Sequence, residues 1–508
     1  MPGVSAASGW PHPRWLALAA IVAATVPLWW PAVPPLTDFP GHLGSYRILA
    51  EAGQGPLARH YAVHWQLIGN LGVEALVLAL RPLLGLETAA KLVVMAMPAL
   101  TVAAMLWLAR EAHGRVPATA PFAFPLAYAL PFQFGFVNFS LSAALALSAL
   151  ALWLRLARSR PAWCRAVLFA PLACLIWLCH SFGWAMTGLF VLGAELVLRR
   201  RAGERWPRAT ILAGLMVLPM ALPLVATVTG IAQSAVGDTG DWFDWPLKLI
   251  WLLSVLRERW LPYDLACTAG LLTLVALAVR SPRLRLDPLL AVSALLGAAV
   301  FLLLPRVFEG GAYVDMRLLP ATLALAVLAI RVDPEWRGGR WLAVAAVGFF
   351  VLRSATTTIV FAQAAAAQAR ELAALDALPV GSAVLVLEAE PARTGWPVPR
   401  DTHLAGIAIA RRRVFTNEQW AMTGQQLIAP LHPAAAPYDR DPSQIVYPAG
   451  VGYQITDFDT AIARFDRGTF ERVWTIGFPP GRASAADLDL VWQDGRSAVY
   501  RVARPAMR

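Results

Sequence analysis

Cysteine is scarce in this chain: four among 508 residues, Cys164, Cys174, Cys179 and Cys267, all in or beside apolar runs. None follows Cys267, so the polar C-terminal part cannot close a disulfide, and no paired spacing of the zinc-binding kind occurs. Lysine is scarcer still, with only Lys91 and Lys248, so the cations are almost all arginine. Charged residues make up only 15% of the chain. The P-loop, GxSxG and HExxH patterns are all missing, which counts against an ATPase, a serine hydrolase and a zinc protease. Neither an internal repeat nor a long low-complexity linker is evident.

What is present is apolar surface. Hydrophobic residues reach 58% and the mean hydropathy is +0.56, beyond the usual soluble balance, so the chain reads as an integral membrane protein. A net charge of +11 could suggest a nucleic-acid partner, but its distribution argues otherwise. From Phe361 onward arginines and acids are equal, fifteen of each. The excess therefore belongs to the apolar part, in short loops between hydrophobic runs. That is a topology signal rather than a DNA-binding patch.

A spanning helix needs about 20 apolar residues. Eleven runs approach this: 14–33, 88–109, 118–134, 139–156, 165–182, 184–199, 209–230, 262–279, 288–304, 317–331 and 341–360. Every second loop is rich in arginine, beginning with Arg110 and Arg115, then Arg155, Arg158, Arg160 and Arg165. The alternate short loops at 131–138 and 180–183 carry none. One orientation satisfies the series: a cytoplasmic N-terminus on an uncleaved signal anchor, the 34–87 loop outside, and an extracytoplasmic C-terminal tail. Counting 64–84 as a span would invert every later loop. With Asn70, Glu74 and Arg81 inside it, that segment reads as an interfacial helix, as does 245–260. The expected domains are thus a transmembrane domain over 1–360, including outer loop 34–87, and an extracytoplasmic α/β domain over 361–508. In the latter an alanine-rich helix at 361–377 precedes strand-like runs at 383–387, 444–447, 472–477, 489–493 and 498–502. Asp494-Gly495 supplies a tight turn.

The chemistry concentrates in LTDFPGHLGSYR, residues 36–47. Asp38 is the first acid after the first span, a candidate general base or metal ligand; the competing role is to cap a helix starting at Phe39-Pro40. His42, one helical turn on, suits an acid–imidazole pair or a second metal ligand. A divalent cation on Asp38 and His42 is the one cofactor this pattern could support. Arg47 and Arg59 offer bidentate phosphate contacts, or else anchor to lipid headgroups. Tyr46 and Glu74 are cavity or acceptor candidates in the same loop region. Asn138 and His180, at the outer ends of adjacent spans, could face one cavity or simply pack and cap. Asp241, in the acidic 237–244 loop, offers acceptor or metal contact, or solvation. Arg317 precedes a span at a rim suited to a lipid phosphate, with Asp315 as its expected ion-pair partner.

The arrangement of one span, an acidic outer loop, a multi-span bundle and a C-terminal domain resembles the GT-C superfamily of polyprenyl-phosphate-sugar glycosyltransferases. That superfamily includes protein O-mannosyltransferases and lipid A aminoarabinose transferases. Locally, TDFPGHLGSYRILAE is similar to the D-x-P-x-H-L motif of a set of uncharacterised bacterial membrane proteins of this type. GFVNFSLSAALALSALALWL and LCHSFGW resemble later landmarks of that set. The resemblance implies a multi-pass inner-membrane enzyme that transfers a sugar from a polyprenyl-phosphate donor to a cell-envelope glycan, lipid or protein acceptor. Asp38 would be its catalytic or metal-associated acid. Two departures stand out: Asp38 is followed by Phe39 rather than a second acid, and loop 131–138 offers Gln133 and Asn138 where many such enzymes carry an acid. The rival classes are a lipid or glycan transporter, whose inverted repeats and midplane charges are not evident, and a non-catalytic envelope assembly protein.

Overall fold

The computed structural model describes residues 13–233, 237–389, 395–432 and 457–503, except Thr423, Pro480, Arg482 and Ser484. The chain forms two compact units. One comprises Met1–Trp29, Leu67–Val73 and Leu92–Val360; the other comprises Trp30–Gln66, Glu74–Lys91 and Phe361–Arg508.

The first unit is a polytopic helical bundle. Among the described residues seven helices are long and apolar enough to cross a membrane: Leu86–His113, Val137–Ala157, Ala162–Cys179, Ser181–Arg201, Trp206–Val228, Leu261–Arg280 and Gly339–Ala377. Three shorter apolar helices, Arg14–Leu28, Pro288–Leu303 and Met316–Leu328, coincide with three more expected spans. The remaining candidate, 118–134, is not one helix. It breaks into Ala120–Phe122, Phe124–Tyr128 and Leu130–Gln133, each with a proline in its first turn. A proline has no N–H to donate and clashes with the preceding turn, so three in eleven residues cut an apolar run that hydropathy alone reads as continuous. The 64–84 segment is helical only over Gly72–Leu84, thirteen residues, or about 20 Å, too short to span. Likewise 245–260 holds only the nine-residue helix Trp245–Leu253.

Burial sorts the spans. The hydrophobic window of Val137–Ala157 is 72% buried within the protein, against 22% for Trp206–Val228, so the first is central and the second faces lipid. Small residues let the central helices close in. A Cβ at Gly183 would stand 2.2 Å from Ser142 Oγ, so only glycine permits this approach of Ser181–Arg201 to Val137–Ala157.

In the second unit a five-stranded sheet runs in the spatial order Phe415–Thr416, Ala383–Glu388, Arg472–Ile476, Ser497–Val502, Leu488–Asp494. The first three strands are parallel and the last two antiparallel. Ala383–Glu388 is buried along its whole length, as a continuous apolar run covered on both faces should be. The hairpin turn falls at Asp494-Gly495, where Asp494 pairs with Ser497. The alanine-rich 361–377 segment is not a separate helix; it extends Gly339–Glu371 and ends in a 3-10 turn, Leu372–Ala377. The expected strand 444–447 lies outside the described residues. Two elements went unread in sequence. The Ala405–Arg412 helix connects two parallel strands, and Ile428–Pro430 pairs antiparallel with Tyr61–Val63.

Candidate functional site

Asp38 stands at the N-cap of the Phe39–Glu51 helix, with proline in its first turn. This helix lies along Ala405–Arg412 at backbone contact. A Cβ at Gly406 would come 2.0 Å from Pro40 O, so a side chain there would push Asp38's turn away. Polar bonds fix the register: Gln419 Nε2 donates to Ser45 Oγ at 2.7 Å, and Arg47 Nε donates to Ala410 O at 2.9 Å. Arg47 also pairs with Glu51 at 3.3 Å, and Glu51 in turn meets Arg413 at 3.0 Å. The cation proposed from sequence for phosphate is thus engaged in locking two helices. Arg59 lies exposed beside Gly381.

The Asp38 carboxylate makes no cap bond to its helix. It faces an imidazole, and that imidazole is His403's, with Nε2 3.9 Å from Asp38 Oδ1. His403 is 3% exposed and held at φ +62, a left-handed conformation rare for a non-glycine residue and often found where function demands it. His42 and His403 both lie against the Trp420 indole, with ring centroids at 4.9 and 4.8 Å. His42 is half-buried. The density of protein around it, and then the nearby His403, lower its pKa to about 3, so it is neutral at physiological pH. Tyr46 is fully buried, its hydroxyl without a hydrogen-bond partner among the described residues. Burial first, then the Glu74 carboxylate, push its pKa well up. Tyr46 and Glu74, predicted separately, therefore share one environment.

A further acid lies close in sequence to Trp420. Glu418 is 4% exposed, its Oε2 has no hydrogen-bond partner among the described residues, and burial pushes its pKa up to about 8 from the usual 4.5. The folded protein holds it protonated at neutral pH, whereas the unfolded chain ionises it. Its contribution to stability is complete below pH 4.5 and is lost as pH rises through 8. His42 acts in the opposite sense, its contribution being lost as pH falls from 6.5 toward 3. Glu418→Gln is therefore expected to flatten the alkaline fall in the unfolding midpoint between pH 5 and pH 9. A slope equal to that of the parent chain would show that Glu418 ionises freely in the folded state.

The other candidates belong to the first unit. Arg317 stacks over Phe136 at 4.4 Å, donates to Ala312 O at 3.2 Å, and meets His180 Nε2 at 3.2 Å. Burial and that guanidinium keep the His180 pKa well below its ordinary value, and its Nδ1 accepts from Phe182 N, capping the next helix. Arg317 and His180 thus meet, although sequence paired Arg317 with Asp315. Asp315 is taken instead by Lys248, at 3.1 Å, whose ammonium also donates to Phe301 O and Leu304 O, both at 2.8 Å. Lys248 lies in a helix whose buried face brings it to Asp315, a contact that adjacency in sequence could not reveal. Asn138 is a structural clamp: its Oδ1 accepts from Val73 N at 2.7 Å and its Nδ2 donates to Asn70 O at 3.3 Å. Asp241 pairs with Arg306 at 2.8 Å on the surface.

Sequence reasoning missed His403, Trp420 and Glu418, which carry no local motif. It also missed a histidine pair, His60 and His432, with ring nitrogens 2.7 Å apart. Because His60 Nε2 bonds the Gly381 carbonyl, which only accepts, His60 Nδ1 is the acceptor and His432 the donor. Among the described residues no three His, Cys, Asp or Glu side chains group closely enough to hold a metal ion.

The chain thus combines a multi-span helical bundle with a second unit that carries a five-stranded sheet and the loop acid Asp38. Two solved structures similar to the chain are of ArnT from Cupriavidus metallidurans. Its undecaprenyl-phosphate complex is 15% identical with a TM-score of 0.50, and the match covers 97% of this chain and 100% of that one. Its apo state is 15% identical with a TM-score of 0.51, covering 97% and 99%. At this identity the likeness establishes a shared fold across nearly the whole chain. No protein-family model and no curated protein matches the sequence.

Proposed function

We propose that the chain is an integral-membrane glycosyltransferase that moves a sugar from a polyprenyl-phosphate carrier to an envelope acceptor on the outer face of the inner membrane. The observation that carries this reading is a first-loop carboxylate withheld from helix capping and faced by a buried histidine, within a fold shared with a protein solved bound to undecaprenyl phosphate. In the proposed reaction Asp38 accepts the proton of the acceptor hydroxyl as its oxygen attacks the anomeric carbon. The bond from that carbon to the phosphate oxygen breaks with inversion, and polyprenyl phosphate leaves with the electron pair. His403 orients the carboxylate and stabilises its charged form, while neutral His42 and the Trp420 face supply an aromatic wall of the kind sugars stack against. Arg59, in the same unit as Asp38, remains the candidate for contact with the phosphate. The proposed orientation is the one set by the arginine loops, with the N-terminus cytoplasmic and the C-terminal unit extracytoplasmic.

Profiling lipid-linked sugars and envelope glycans in cells lacking the chain tests this directly. A polyprenyl-phosphate sugar should accumulate and one glycan modification should vanish, both restored by the intact gene. Unchanged profiles for both pools would overturn the reading.

A further inference from the structure

The first unit contains a cavity of about 1190 Å³ that plays no part in the chemistry above. Two helices wall it: the Arg14–Leu28 helix, through Leu16, Ala19 and Ala23, and the first turns of Gly339–Glu371, through Val344, Val347 and Val351. The alanines leave the gap between these helices unfilled. Leu16 is 38% exposed, Val344 62%, Val347 42% and Val351 57%, so the apolar walls continue onto the surface that a multi-pass protein turns to lipid. Small-molecule sites typically enclose about 300–1,000 Å³. This one exceeds that range, and its body is apolar.

Its rim has the opposite character. Arg115, Arg285, Arg331, Arg337 and Arg340 line it, against only Asp333 and Glu335. Arg331 is committed elsewhere, to Asp287 and the ring of His113. Asp333 pairs with Arg283 at 3.2 Å. Among the described residues Arg285, Arg337 and Arg340 make no ion pair, so three exposed guanidiniums crown an apolar crevice.

We infer that this crevice is a binding site for a diacyl anionic phospholipid of the adjoining leaflet, with its phosphate on Arg285, Arg337 and Arg340 and its acyl chains between the two helices. A soluble anion would occupy the rim and leave the apolar body wet. A zwitterionic lipid would bring a choline cation against three guanidiniums. Basic pockets between membrane helices select anionic headgroups for this reason. The inference is independent of the sugar-transfer reading.

The test uses the full-length protein purified in detergent, with native mass spectrometry and the unfolding midpoint as readouts. The probes are phosphatidylglycerol, phosphatidylcholine, inorganic phosphate and a polyprenyl phosphate. Phosphatidylglycerol is expected to be retained and to raise the midpoint, with phosphatidylcholine doing neither. Combining Arg285→Ala, Arg337→Ala and Arg340→Ala should weaken retention by about 100-fold, since each arginine near an anionic headgroup adds to the attraction. A second variant, Ala19→Trp, fills the crevice from an exposed wall position, keeps the arginines, and should also expel the lipid. The inference is overturned if phosphatidylcholine is retained equally, if either variant holds phosphatidylglycerol as well as the parent, or if inorganic phosphate alone reproduces the shift. Preferential binding of polyprenyl phosphate would also overturn it, reassigning the crevice to the sugar carrier.

Discussion

Asp38→Asn is expected to lower sugar transfer by about 10²–10⁴-fold, the range set by loss of a positioned proton acceptor, while the protein still inserts and folds. The amide keeps the size and planarity of the carboxylate but cannot take the acceptor's proton. Folding should tolerate the change because the amide fills the same space at the start of the Phe39–Glu51 helix. The measurement is transfer from a polyprenyl-phosphate sugar by purified protein, beside an unfolding midpoint for each variant. Activity within twofold of the parent would remove Asp38 from the chemistry. His403 is a positioning residue in this scheme, and its test is a pH profile. His403→Phe keeps a ring against Trp420 and removes the ring nitrogen that lies 3.9 Å from Asp38 Oδ1. Losing an imidazole beside a carboxylate favours the neutral acid, so the acid limb of the rate profile should move toward neutral pH. A purely structural histidine would lower the rate without moving that limb.

These two residues also mark where the sequence is legible and where it is not. Asp38 can be read because its signal is local: the first acid after the first apolar run, followed by proline. His403 and Trp420 sit far along the chain in stretches with no periodicity. They reach Asp38's neighbourhood only because Gly406 lets Ala405–Arg412 touch the Pro40 turn. The strands of the C-terminal unit could be found from their Val- and Ile-rich runs and the Asp-Gly turn. The Ala405–Arg412 helix could not, because eight residues with alanine and isoleucine interleaved fit a strand or a helix equally. Hydropathy located the spanning helices but read through the prolines at 121, 125 and 131, which cut 118–134 into short turns. The assignment of Asp315 to Arg317 failed for a related reason. Charge pairing inside a bundle follows helix faces, and Lys248 lies 67 residues from Asp315.

The largest stability effect should come from a residue hidden inside an apparently apolar span. Arg353, 3% exposed in Gly339–Glu371, donates NH1 to Asp264 Oδ1 at 2.7 Å and NH2 to Leu256 O at 3.0 Å, with Glu258 Oε2 at 3.7 Å. The other side of Asp264 accepts the backbone N–H groups of Glu258 and Arg259, at 2.8 and 3.0 Å. Glu258 accepts from Gln133 and Thr357, both at 3.1 Å. Arg353 thus meets two carboxylates, and all three side chains are buried. Removing it by Arg353→Met leaves both acids buried without that cation, a change that costs about 3–5 kcal/mol in buried pairs, and the unfolding midpoint should fall by several degrees. Arg353→Lys should recover part of the loss, since a point charge cannot reproduce the two-pronged contact. Combining Arg353→Met with Glu258→Gln and Asp264→Asn should be milder than Arg353→Met alone, because neutral partners need no cation and the desolvation cost of three charges disappears. If the triple variant is instead the least stable of the set, direct hydrogen bonding rather than charge compensation holds these elements together.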